Sequence, residues 1–170
     1  MKKIMLAITM MASALTTFAQ NSAIHKVEFM VEKERYEEAL QIIETALANP
    51  KTTKFAGFYY NKGEVNRKYF ERVLDLASQG YPFDTVAFCT YLDEAVTNFT
   101  KSHLADMTPD KKGRVKPKYG EFVLMSYAQQ FAQFYNAGAY YYGNEDYKKA
   151  YDLFGMFITA SDKLFNAGMM

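Results

Sequence analysis

Apolar residues recur along this chain at steps of three and four, and polar or Gly/Pro-containing corners interrupt them. Ile24, Val27 and Val31 mark a weak amphipathic stretch over 21–31, closed by the polar corner Glu32-Lys33-Glu34-Arg35. From Tyr36 to Ala48, the residues Ala39, Ile43, Ala46 and Leu47 form a stripe at helical spacing, and Asn49-Pro50 stops it. Thr52 or Thr53 is placed to cap a helix from about Lys54 to Ala77, carrying Phe55, Tyr59, Tyr69, Val73 and Leu76. Ser78-Gln79-Gly80-Tyr81-Pro82 breaks the pattern. Asp84 is a suitable N-cap for a helix to about His103, where Phe88, Leu92, Ala95 and Phe99 align. A loop follows over 106–118, with Thr108-Pro109-Asp110 as turn chemistry and a basic run from Lys111 to Lys118. A helix is then predicted from Tyr119 to Tyr142, a corner at Gly143-Asn144, and a last helix from Asp146 to Phe165. No segment alternates with the period of a strand, so the pattern predicts an all-α chain whose short corners make antiparallel neighbours.

The first residues have a different pattern. Lys2 and Lys3 precede an apolar run from Ile4 to Leu15, and Thr17-Phe18-Ala19 supplies small residues before Gln20. This is the layout of a signal peptide over 1–19, which predicts an exported mature chain in the periplasm or outside the cell. No later stretch is apolar enough to span a bilayer.

Composition narrows the function. The chain has 170 residues, enough for one core, and 16% are aromatic, all Phe and Tyr. Its formal charge of +1 gives no basic face for nucleic acid. A single cysteine, Cys89, excludes a disulfide within the chain, and its neighbours Val86, Leu92 and Val96 place it on an apolar stripe as a small buried residue.

The stretch 134–154, FYNAGAYYYGNEDYKKAYDLF, contains an internal pattern. Phe134, Ala137, Gly138 and Tyr141 are followed by Ala150 and Phe154, in the order W-x₂-L-G-x₂-Y and A-x₃-F. The small residues permit two helices to approach, and the aromatics fill the space around them. Arg35-Tyr36-Glu37-Glu38-Ala39 repeats the form of Asp146-Tyr147-Lys148-Lys149-Ala150, and Tyr59, Gly63, Ala95 and Phe99 form a stretched middle copy. On these residues the chain resembles the tetratricopeptide repeat (TPR) family, with irregular units at about 22–50, 54–103 and 119–162. Together with the signal segment ending near Ala19-Gln20 and the loop KGRVKPKY, it is similar to exported TPR proteins of Gram-negative bacteria. The resemblance implies helix pairs stacked as a short right-handed superhelix. It also implies that further repeats follow, or that a partner covers the apolar end near Phe157, Leu164 and Phe165, with 166–170 as a tail.

The resemblance further implies a groove lined by the first helix of each pair. The corresponding residues are Tyr60, Asn61, Glu64, Arg67 and Lys68 in the middle unit, and Tyr135, Asn136, Ala139 and Tyr142 in the last. Asn61 and Asn136 occupy the place where peptide-binding members hold a ligand backbone, a task suited to an amide that both donates and accepts. Gly57 and Ala132 stand where the family's charged clamp has basic residues, so capture of a C-terminal carboxylate is not implied. The expected function is therefore an exported interaction module for a peptide or partner helix, and the alternative is a self-associating module stacking through its C-terminal end. A hydrolase is the weakest reading. His25 with Glu28 and His103 with Asp106 have helical ligand spacing without a third member, and no nucleophile or phosphate-loop motif occurs. No catalytic residue, metal or cofactor is expected.

Overall fold

The computed structural model describes residues 21–50, 52–109, 112–115 and 117–166. The predicted signal segment, part of the basic loop and the tail beyond 166 lie outside these residues. Among the described residues the chain is all-helical. We number α1 (residues 21–32), α2 (Tyr36–Ala48), α3 (Ala56–Ser78), α4 (Thr85–Asp106), α5 (Gly120–Gly143) and α6 (Tyr147–Asn166). None of these helices is long and apolar enough to cross a membrane.

Three corners share one hydrogen-bond pattern. Arg35 N–H donates to Met30 O, Tyr81 N–H to Leu76 O, and Asp146 N–H to Tyr141 O, at 2.9, 3.1 and 3.0 Å. The residue before each donor is left-handed: Glu34 at φ 57°, Gly80 at φ 91° and Glu145 at φ 62°. These are Schellman ends, in which a reversed residue lets the chain turn back and satisfy the last helical carbonyls. Asp84 caps α4 by accepting from Ala87 N–H at 2.9 Å. The threonines before α3 act differently from the expectation. Phe55 is the N-cap and makes no side-chain cap bond, while Thr52 Oγ1 donates backward to Ala46 O at the end of α2.

Consecutive helices pack antiparallel. Tyr36 meets Tyr69 and Glu44 pairs with Lys62 between α2 and α3. Phe70 meets Phe88, and Ser102 Oγ donates to Ala56 O at 3.0 Å, between α3 and α4. Tyr135 meets Phe154 and Tyr142 meets Tyr147 between α5 and α6. The α3/α4 and α5/α6 pairs are the most extensive, giving a repeat-like succession of helix pairs. One core cluster runs through α3–α6, with Phe99, Phe134, Leu92 and Leu153 sealed from solvent. Burying a side chain of that size contributes about 1.5–3 kcal/mol. A second cluster joins α1, α2 and α3 through Val27, Ile43, Phe58 and Val65.

The units differ in where their small residue sits. Gly63 lies in the second turn of α3, far from the α3/α4 corner, whereas Gly138 lies near the end of α5. The N-terminal half of α5 is thus an extension ahead of its repeat pattern, and that half packs on α3.

Candidate interaction face

α3 and the N-terminal half of α5 run parallel. Tyr60 of α3 stacks on Tyr119, at the start of α5, with centroids 4.9 Å apart and planes at 26°. Phe122 lies 5.9 Å from the same ring, and one turn further Ser126 Oγ donates to Glu64 Oε1 at 3.3 Å. A stacked aromatic pair contributes about 0.5–1.5 kcal/mol beyond its buried area.

Asp106 positions the start of α5. One carboxylate oxygen accepts from Lys118 N–H and Tyr119 N–H, each at 2.6 Å, so the end of α4 holds the start of α5. Lys118 Nζ lies 4.9 Å from the Tyr119 ring centroid and donates to its hydroxyl at 3.2 Å.

Charge surrounds this aromatic cluster. Arg67 donates to Glu64 on one side, at 2.7 Å, and to Glu71 on the other, and Lys68 reaches Glu71 at 3.3 Å. Burial works against the Arg67 charge, but Glu64 and Glu71 more than offset it and hold its pKa above the usual value. Burial pushes the Tyr60 hydroxyl up to about 12, reinforced by the Glu64 carboxylate. Glu28 of α1 adds its field to both Tyr60 and Tyr119. Ile24 of α1 and the Tyr119 hydroxyl also meet over Gly57, so α1 borders this face.

Tyr60, Glu64, Arg67 and Lys68 are brought together on that face. Asn61 is not available beside them. It is 3% exposed, and its Nδ2 donates to Gly57 O at 2.8 Å, one turn earlier, where Ile24 of α1 and the Tyr119 hydroxyl lie against Gly57. A Cβ at Gly57 would stand 2.6 Å from the Tyr119 hydroxyl, so no basic side chain fits at that place. In the last unit Asn136 is exposed and within 3.4 Å of Gln133 Oε1. Tyr135 and Tyr142 are also exposed, but both lean toward α6. Tyr135 packs on Phe154 and Phe157, and Tyr142 on Tyr147. Phe122 and Met125 belong on the list of surface residues near the α3/α5 face, each 52% exposed. Their apolar character is visible in sequence, but in a helix it reads first as core.

A separate groove of about 470 Å³ lies beside the α3/α4 corner, lined by Tyr69, Arg72, Leu76, Tyr81, Pro82 and Tyr91. The corner residues Tyr81-Pro82 signal a break in sequence, but only the return of α4 against α3 makes a groove from them.

His25 Nδ1 lies 3.0 Å from Glu28 Oε2 in an exposed pair. The carboxylate of Asp106 bonds the backbone ahead of α5. Cys89 is buried and unbridged, and burial, with Asp93 adding to it, pushes its thiol up to about 11. That is the opposite of what an activated nucleophile needs. Among the described residues no group of three His, Cys, Asp or Glu is placed to hold a metal ion.

The chain matches no family model, no curated protein and no solved structure.

Proposed function

We propose that this protein is an exported, TPR-like interaction module that takes an extended peptide or a partner helix on the face formed by α1, α3 and α5. One observation carries the proposal: the parallel packing of α3 and the N-terminal half of α5 around the Tyr60–Tyr119 stack. That packing sets the half-exposed Phe122 against Tyr60 and brings Ser126 to Glu64, which is ion-paired to Arg67. An apolar strip beside fixed charges and aromatic hydroxyls is the composition that protein recognition favours. The N-terminal layout of Lys2-Lys3, the apolar run and Thr17-Phe18-Ala19 supports export. The recurring Schellman corners and the paired small and aromatic residues support the repeat reading.

Photo-crosslinkers placed singly at Phe122 and Lys68 test the face, with one at Glu145, on the α5/α6 corner, as control. Capture of one protein from envelope extract at both test positions and not at the control identifies the ligand. Affinity for it should then fall at least about fivefold in Phe122→Ala or Lys68→Ala, as for a residue worth over 1 kcal/mol at an interface. Unchanged affinity in both variants would remove the face from the binding site.

A further inference from the structure

The groove beside the α3/α4 corner begins where the cover of α2 ends. α2 lies on α3 from Lys62, which pairs with Glu44, to Tyr69, which meets Tyr36 and donates to Glu37 Oε1 at 3.1 Å. α3 then continues to Ser78, nine residues beyond Tyr69. At 1.5 Å per residue that is about 14 Å of further helix. Arg72 and Leu76 are exposed along it. The corner closes the far end, where Tyr81 N–H donates to Leu76 O at 3.1 Å and so fixes the backbone that carries the Tyr81 ring.

The walls are aromatic. Tyr69 of α3 and Tyr91 of α4 have ring centroids 5.1 Å apart and planes at 36°. Tyr81, 61% exposed, makes no ring contact among the described residues. Val73, Leu76 and Ala87 add aliphatic surface. The volume of about 470 Å³ lies within the range of about 300–1,000 Å³ found for small-molecule sites, and apolar walls with few polar groups are their usual composition.

One charge in this groove is left over. The carboxylates around Arg72 each have a partner. Glu71 is paired with Arg67 and Lys68, Asp75 accepts from Gln79 Nε2 at 2.8 Å, and Glu37 accepts from Tyr69. Asp84 lines the groove too, but it accepts from Ala87 N–H at 2.9 Å, and the N-terminus of α4 offsets its charge. Arg72 makes no ion pair or hydrogen bond among the described residues. Its planar fork matches a carboxylate, which it can hold by two parallel hydrogen bonds.

We propose that this groove binds a small aryl carboxylate, with the ring against the tyrosine walls and the carboxylate on the Arg72 guanidinium. Flat tyrosine faces suit an aromatic ring, and the one uncompensated cation selects the acid. The proposal is independent of the repeat reading and of whether the α1/α3/α5 face binds a peptide.

Nuclear magnetic resonance titration of the isotope-labelled protein tests it, with phenylpropionate, its neutral match phenylpropionamide, and the cation phenylpropylamine as probes. The variants are Arg72→Gln and Tyr81→Ala, both at exposed positions, and circular dichroism confirms that each is folded. Phenylpropionate should shift the amides of Tyr81 and Tyr91. It should bind at least about fivefold more tightly than phenylpropionamide, and phenylpropylamine should bind no better than the amide. Arg72→Gln should bring phenylpropionate to the affinity of phenylpropionamide and leave the latter unchanged. Tyr81→Ala should weaken both. No shift at Tyr81 and Tyr91 with tens of millimolar phenylpropionate overturns the proposal. So does equal affinity for acid and amide, or a preference for the acid that survives Arg72→Gln. Tighter binding of phenylpropylamine also overturns it and gives the free charge of the groove to Asp84. Unaltered affinities in Tyr81→Ala would remove the ring from the tyrosine walls.

Discussion

Gly138 lies so close to Phe154 that a Cβ there would stand 2.7 Å from two atoms of the ring, Cδ1 and Cε1. Gly63 and Phe99 repeat this relationship at the same distance in the α3/α4 pair. In each pair the missing side chain is what allows the ring to fill the gap between the helices. Gly138→Ala and Gly63→Ala should each destabilise the protein by about 1–3 kcal/mol, the range for overpacking, despite the better helix propensity of alanine. Urea denaturation measures the loss. Phe154→Leu should recover part of it in the Gly138→Ala background and none in the Gly63→Ala background. Equal recovery in both would show that the ring and the glycine are not coupled.

The corners predict a change of opposite sign. Glu34 and Glu145 are left-handed without being glycine, a conformation that strains a residue with a Cβ by about 1–2 kcal/mol. Gly80 performs the same turn without strain. Glu145→Gly should therefore stabilise the protein, by about 1 kcal/mol after the greater freedom of unfolded glycine is subtracted. Thermal melting should show a rise of about 2–4 °C for a domain of this size. A lower melting temperature would mean that the Glu145 side chain has a role that outweighs the strain.

Gln130 is sealed in α5, and neither of its amide atoms has a hydrogen-bond partner among the described residues. A buried, unsatisfied amide destabilises by about 1–3 kcal/mol. Gln130→Met retains most of the volume and removes the polar atoms, so the variant should be more stable by about that amount in urea titration. A less stable variant would reveal that the amide is satisfied in solution, for instance by an internal water.

Tyrosine ionisation supplies a pH test. Burial pushes Tyr60 up to about 12, and burial with the Glu37 hydrogen bond does the same for Tyr69. Unfolded tyrosines ionise near 10. Below pH 10 both states hold these protons. Above it the unfolded chain releases them first, so stability falls as pH rises from about 10 to about 12. Tyr60→Phe should reduce this alkaline loss, measured as the slope of unfolding free energy against pH. An unchanged slope would show that Tyr60 titrates normally.

The helices were legible in the sequence because each has local cause: periodic apolar residues, the Asp84 cap, and stops at Asn49-Pro50, Gly80 and Gly143-Asn144. The predicted span Tyr36–Ala48 coincides with α2. The pairs Gly138/Phe154 and Gly63/Phe99 were legible as well, since repeat spacing places a small residue against a large one. The interaction face was only partly so. Sequence order aligns Asn61 with Asn136, but Asn61 is buried and bonded to Gly57 O, where Ile24 and Tyr119 from elsewhere in the chain approach, whereas Asn136 is exposed. Tyr60 and Tyr135 also share a place in the pattern, yet one is covered by Tyr119 and the other is open. Periodicity determines which side of a helix is apolar. What covers that side depends on how far α5 extends ahead of its repeat and on where Asp106 holds its first turn, and those are decided only when the pairs pack.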